Sequence, residues 1–398
     1  MSAVDLRELV NSQRVIVCAG AGGVGKTSVS ASMALGAARG GKRVLVVTVD
    51  PSKRLAEALG VDRNPTDPVP VPAEKLEALG VTPPGSLHAW MLDPQLVADR
   101  VVKRFSRSEA DAERLMANRI YKNVTAMVAG MQEYTAVEAL HGFVADDAYD
   151  LIILDTPPSR NALHFLDAPE RAGRFLDKRI FNLFVPGEGS LIRRAATKLI
   201  ERVMDAALGS ETREDLQTFF TLFSSILTRL NRNADEMRAF FTRPDVSVLV
   251  VTSPAREALD EALYLASRTQ GDLSMPLAGY ILNRSLAQTG EWEEPRSLLE
   301  DGGLDATTRS ALEKLQPLAE REHVEAERHR ALLAELAARL SGQGVALGLP
   351  LLARGIDDLT SLSVLAIPMI FSSSRLPSTM RSRPRSSTPS SSTMTLIP

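Results

Sequence analysis

Arg14–Ser28 reads RVIVCAGAGGVGKTS. Val15, Ile16, Val17 and Cys18 form an apolar, β-branched run, which predicts a buried strand. Gly20, Gly22, Gly23 and Gly25 follow, then Lys26 and Thr27, then a helical pattern from Ser28 to Arg39. Counted from Gly20, this is G-x-x-x-x-G-K-[ST], the phosphate-binding loop in its strand–loop–helix setting. The residue types follow from the task. Glycines let successive backbone N–H groups turn toward phosphate oxygens, where side chains would obstruct the approach. The helix N-terminus adds partial positive charge. Phosphate contact is therefore expected from Gly22, Gly23, Val24, Gly25, Lys26, Thr27 and Ser28. Lys26 reaches the β- and γ-phosphates and also serves catalysis, while the Thr27 hydroxyl ligates Mg2+. A glycine-rich turn without a ligand is the competing reading; the Lys-Thr pair and both flanks weigh against it.

The 398-residue chain is long enough for a large core, or for one α/β domain with an inserted helical part. A net charge of -3 argues against bulk nucleic-acid binding, so no nucleic-acid partner is expected. Cys18 is the one cysteine, which excludes intrachain disulfides, a Cys-x-x-Cys zinc clip and a thiol cluster for a soft metal. Inside the first strand it is expected to be a small core residue. The N-terminal MSAVDLRELVNSQ lacks a signal pattern, and no apolar run is long enough to span a bilayer. The expected location is cytoplasmic, with peripheral membrane association open.

Outward from the loop, strands and helices alternate. A second strand is expected at Val44–Val49, ending on Asp50-Pro51, and a third at Leu87–Leu92. Between them Asn64–Pro84 is Pro-rich loop with a short helix near Glu74–Leu79. Gln95–Ala145 is helical, with Ile120, Val124, Met127, Val128 and Met131 at core-facing spacing. Tyr149–Leu154 is the next strand, followed by Asp155-Thr156-Pro157-Pro158. Arg160 to Phe241 is rich in helix formers. Strands follow at Val246–Thr252 and Leu277–Asn283, with a helix at Glu257–Thr269 between them. A charged helix over Gln316–Leu340 and a short strand over Ala346–Leu352 complete the pattern. It predicts a doubly wound, mostly parallel α/β sheet of the P-loop type with an inserted helical subdomain. The expected domain is 1–370, with helical insertions at about 95–145 and 165–241. From Phe371 to Pro398 the chain turns to Ser, Thr, Pro and Arg without an acidic residue, the composition of a disordered tail.

Acid-bearing strand ends accompany the loop. In a parallel sheet the carboxyl ends of strands line one crevice and can converge on one nucleotide. Asp155 follows an apolar strand, where a second carboxylate holds Mg2+ through water. Asp50 also ends a strand, where a carboxylate can orient the attacking water; it is taken as catalytic and as a metal-site residue. Turn capping is the plain alternative for both. Pro51–Leu59 and Thr156–Leu166 are candidate γ-phosphate-sensing switches. No Asn/Thr-Lys-x-Asp guanine signature is visible, which favours ATP, with Mg2+, as the cofactor.

AGGVGKT, VTVDPSKRLAEALG and YDLIILDTPPSRNALHFL resemble, in order, the phosphate loop and two switches of a known family. It is the arsenical-pump-driving (anion-transporting) and tail-anchored-protein-targeting ATPase family, of the deviant-Walker P-loop branch. NADEMRAFFTRPDVSVLVVTSPAREALDEA, GYILNRS and GLPLLARGIDDL are similar to its later segments, so the resemblance runs from about Arg14 to Leu362. It implies a nucleotide-bound dimer that opens and closes. It also implies that Asp50 activates water, that Asp155 senses phosphate and Mg2+, that Asn283 reads adenine, and that Pro350 and Leu351 lie near the base.

The departures matter. The family loop usually begins Lys-Gly-Gly, with a lysine that reaches across the dimer, and here Ala21 stands in that place. A comparable cationic finger is worth about a thousandfold or more in rate. Slow turnover is expected, or a heterodimer with a related ATPase that donates the lysine. The absent Cys-x-x-Cys speaks against a zinc-pinned dimer and arsenite binding. The second switch reads Thr156-Pro157-Pro158-Ser159-Arg160, and Arg160 contacts phosphate or pairs with an acidic residue.

The family places its client surface between Phe165 and Phe241. There Phe181, Leu183, Phe184, Val185, Leu191 and Ile192 form an apolar cluster flanked by arginines and lysines. Phe219, Phe223, Ile226, Leu227 and Leu230 share one helical face, with Phe220 and Leu222 off it. Such a helix is either core or a groove for a hydrophobic protein client or membrane protein. The favoured expectation is an ATP-hydrolysing dimeric switch whose closure is coupled to such a partner. The alternatives are a nucleotide-binding regulatory subunit of a heterodimeric ATPase and a ParA/MinD-like positioning ATPase.

Overall fold

The computed structural model describes residues 6–48, 54–61, 67–91, 94–122, 131–157, 212, 215–223, 226, 236, 239–288, 305–340, 344–352, 355–356 and 358–370. Asp50, Arg160, the Phe181–Ile192 cluster with its basic neighbours, Leu227, Leu230, Val124, Met127, Val128 and the 371–398 tail lie outside them.

Among the described residues, eight strands form one sheet in the order β3-β4-β2-β5-β1-β6-β7-β8. They are β1 Val15–Gly20, β2 Arg43–Thr48, β3 Val69–Pro70, β4 Ser86–Met91, β5 Leu151–Asp155, β6 Val246–Thr252, β7 Leu277–Ser285 and β8 Val345–Pro350. All neighbours pair in parallel except β3 with β4. The chain leaves β1, crosses through α2 (Lys26–Arg39) and enters β2 two places away. On the other side β6, β7 and β8 follow in order, so the direction of winding reverses at β1. A ligand crevice belongs at the carboxyl ends of strands at such a reversal.

Side-chain alternation explains why both faces are covered. Val15, Val17 and Ala19 of β1 enter one buried cluster, Ile16 and Cys18 the other. The first cluster is roofed by α5 (Pro94–Phe105), α6 (Glu109–Ala117), α7 (Met131–Ala145), α8 (Arg256–Gly271) and the end of α9 (Ala306–Arg339). The second is roofed by α1 (Leu6–Ser12), α2, α3 (Arg54–Leu59), α4 (Ala73–Ala78) and α10 (Leu359–Ile370). Each strand residue fully withdrawn from water, such as Val17 or Ile153, contributes roughly 1.5–3 kcal/mol.

The helix at 215–223 resolves one open alternative. Phe219, Phe223 and Ile226 are buried in the first cluster, with the Phe219 and Phe223 rings stacked 4.9 Å apart. Phe220 and Leu222, expected off the buried face, also pack against it. This face is core. Ile120 likewise packs against the first cluster.

Several boundaries differ from the sequence expectation. α2 begins at Lys26 rather than Ser28, because left-handed Gly25 starts the helix directly after the loop. β2 begins at Arg43, and β5 spans Leu151–Asp155. α9 begins at Ala306, well before Gln316: Asp305 caps it by accepting from the Thr308 N–H at 2.8 Å, and the helix continues through Pro317. Among the described residues, three helices were not expected: α1, α10 and α3, which falls in the segment read only as a candidate switch. Short α1 carries a weak local signal, and α10 is apolar on several sides because it packs against α2. Among the described residues, no helix is long and apolar enough to cross a membrane.

Candidate functional site

The site is assembled where β1, β5, β2 and β7 end. The register sets Cys18 of β1 beside Asp155 of β5, and Thr48 of β2 on the other side of the same aspartate. A carboxylate thus stands at the carboxyl edge directly beside the origin of the Gly20–Gly25 loop.

The loop's shape requires glycine at two points. A Cβ on Gly20 would sit 2.0 Å from the Val251 carbonyl oxygen, so β1 and β6 could not approach as closely. Gly25 is left-handed (φ 91°, ψ 29°) and is the residue before α2. Having no side chain, it gives the helix no side-chain cap. The first turn of this 14-residue helix thus carries no side-chain cap, and its positive end faces the loop, where an anion is favoured.

Lys26 is buried, and its Nζ donates to the carbonyls of Gly20 (3.1 Å) and Ala21 (2.9 Å). The ammonium is folded over the loop it would serve. The Thr27 hydroxyl donates to Asp155 Oδ2 at 2.6 Å, and the Thr48 hydroxyl donates to the same oxygen at 3.2 Å. Asp155 is 1% exposed. The Thr156 hydroxyl donates to the Cys18 carbonyl at 2.8 Å, pinning the chain after β5 to β1. Below the loop, burial pushes the Cys18 thiol up to about 12. The Ser30 hydrogen bond opposes that rise, Asp155 adds to it and Lys26 subtracts. Cys18 is a core residue and not a reactive thiolate.

The hydroxyl of Thr27 and the carboxylate of Asp155 are hard oxygen donors, of the kind that holds Mg2+ with one or two carboxylates and substrate phosphates. Their contact fits that ion. Asp50, the second expected carboxylate, lies outside the described residues.

Asn283, Pro350 and Leu351 come together at the ends of β7 and β8. Pro350 pairs with Ser285, and the Leu351 N–H donates to the Ser285 carbonyl at 3.2 Å. Asn283 is buried, and its amide Nδ2 donates to the Val24 carbonyl at 2.8 Å. Sequence reasoning did not single out Thr48. A polar residue interrupting the apolar run Val44–Val49, two positions before Asp50, was the available signal. It also missed His329, for which a histidine within a charged helix offered none.

The family model for anion-transporting ATPases matches residues 13–292, which include the loop, Asp155 and Asn283 but not Pro350 or Leu351. The chain is 26% identical over 253 residues to a putative arsenical pump-driving ATPase of Aquifex aeolicus, covering 63% of this chain and 58% of that protein. It is 34% identical over 164 residues to an uncharacterised protein of Streptomyces coelicolor, covering 41% and 39% respectively. The ATPase GET3 of Kluyveromyces lactis is 24% identical over 262 residues, covering 62% and 65%. The match thus spans less than two thirds of each relative's own length.

Proposed function

The chain belongs to the anion-transporting ATPase family, and from that premise we propose that it is a magnesium-dependent ATPase working as a dimeric switch. The observation that carries the reading is the 2.6 Å bond from Thr27 to buried Asp155, beside buried Lys26 and an uncapped helix start. In this reading the loop N–H groups and Lys26 hold the phosphates. Thr27 and Asp155 hold the metal, and Thr48 positions Asp155. Mg2+, when bound, offsets charge on the phosphate oxygens. Asp50 orients the attacking water, and Asn283, Pro350 and Leu351 receive adenine. Closure of the dimer is coupled to a hydrophobic protein client or membrane protein, in the cytoplasm or at a membrane surface.

One observation favours a second reading, in which the chain is the regulatory or slow partner in a heterodimer. Ala21 stands where the family carries its cross-dimer lysine, and its methyl is buried against the core below the loop. It offers no charge to a neighbouring protomer's phosphates.

Two measurements on the purified chain test these readings. MgATP should raise its melting temperature, and turnover of the chain alone should be slow. No MgATP-dependent shift would end the nucleotide reading. Brisk hydrolysis by a homodimer would end the heterodimer reading. Co-purification of a second P-loop chain in the presence of a non-hydrolysable ATP analogue would support it.

A further inference from the structure

Asn283 sits where the pairing of β7 with β8 loses register, between Leu282 and Ser285. The next residue, Arg284, is left-handed at φ 57°, a conformation non-glycine residues adopt rarely. This break lets β7 turn at its end while Asn283 stays buried, 4% exposed. The turn beyond is fixed from several sides. His329 Nδ1 accepts from the Leu286 N–H at 3.0 Å, and Ser285 Oγ accepts from the Ala287 N–H at 3.0 Å. Arg330 donates to the Ala287 carbonyl at 3.3 Å.

From this anchored position the Asn283 amide donates to the Val24 carbonyl at 2.8 Å. That carbonyl belongs to the phosphate loop, between Gly23 at φ 79° and Gly25 at φ 91°. A Cβ on Gly25 would lie 2.4 Å from the same amide nitrogen, so loop and amide are in direct apposition. If Val24 moved away, the buried donor would lose its partner, which is unfavourable. The bond therefore resists any rearrangement of the loop around Val24.

We propose that Asn283 is a positioning residue for the phosphate loop, its amide holding the Val24 carbonyl so that the loop keeps its curl whether or not a base is bound. The inference rests on the nucleotide reading above and adds a role at the phosphates to the one at adenine. A residue that served adenine alone would leave binding of a base-free phosphate chain unaltered.

The test uses the full chain with Asn283→Ala and the near-isosteric Asn283→Asp, which keeps the volume and removes the donor. In the ligand-free protein, amide exchange over 20–29 should accelerate by about fivefold or more in both variants, as loss of one buried hydrogen bond allows. Calorimetry with magnesium tripolyphosphate, a base-free probe, should then show affinity lowered by about fivefold to tenfold, and MgATP should lose at least as much because its base contact is removed as well. Unchanged loop exchange in both variants, or a loss confined to MgATP, overturns the proposal. If the wild-type chain bound no MgATP, the nucleotide reading would fall, and the exchange measurement would still decide whether Asn283 holds the loop.

Discussion

The same strands end in two different ways. At the amino edge of the sheet, charges are matched close to where they arise. Arg14 pairs with Asp147 at 2.6 Å, Arg43 with Asp150 at 2.7 Å and Arg243 with Asp245 at 2.6 Å. The backbone there is laced as well, with Asp245 accepting from the N–H groups of Arg14 and Val15. At the carboxyl edge the polar groups are buried and chemically specialised: Lys26 over two loop carbonyls, and two threonine hydroxyls on Asp155. The first edge solves a structural problem with partly exposed ion pairs. The second concentrates donors, a carboxylate and a helix N-terminus in one place, an arrangement that a folding requirement alone does not call for.

This contrast can be broken experimentally. Lys26→Ala should lower MgATP affinity by at least about a hundredfold, the order seen when a charge-stabilising donor is removed. Retained nucleotide-dependent thermal stabilisation in that variant would remove the carboxyl edge as the binding site. Thr27→Val should weaken the magnesium dependence of nucleotide binding by about tenfold to hundredfold. Thr48→Val should have a smaller effect, about threefold, because Thr48 acts through Asp155. A magnesium titration of ATP binding ranks the two, and the reverse order would contradict the assignment.

Next in size is a pH effect behind β7. His329 is 7% exposed and accepts the Leu286 N–H through Nδ1, so its imidazole must be neutral there. Burial lowers its pKa; Glu325, 3.6 Å away, raises it in part and Arg328 lowers it further. With the folded value depressed, the unfolded chain takes up the proton first. The stabilisation is complete above about pH 6.5 and is lost as pH falls through the folded value. The melting temperature should fall between about pH 7 and 5, and His329→Gln should flatten that dependence. Equal slopes in the two proteins would assign the pH response elsewhere.

The smallest effect belongs to the amino edge. Arg43 hydrogen-bonds Asp150 and holds its carboxyl below the usual range. Both side chains are more than a third exposed, so Asp150→Asn should cost under about 1 kcal/mol. That contribution is present above about pH 4 and disappears on further acidification, as the carboxylate protonates. Nucleotide affinity should be unchanged; a drop in affinity comparable to that of Thr27→Val would mean the two edges are coupled.

Much of the site was legible because its chemistry is local. The glycine spacing, Lys26 and Thr27 occupy consecutive positions, and Asp155 follows an unmistakable apolar strand. What sequence reasoning could not reach lies across the sheet. Val24 and Asn283 are 259 residues apart and meet because β7 lies two strands from β1. Thr48 contributes through its register with Asp155, which no local pattern encodes. The apolar helix around Phe219 illustrates the same point for the core, since periodicity gave its stripe but could not say whether a sheet or a client covers it.

By itself, then, the sequence determined the strand–loop–helix unit, the alternation that makes a parallel sheet and the residue types able to meet phosphate and a hard cation. These follow from nearest-neighbour sterics and side-chain periodicity. Only the tertiary structure decided which strand ends stand side by side, which hydroxyls share Asp155 and which amide holds the loop. Those contacts depend on strand order and register, set by burying both faces of the sheet at once.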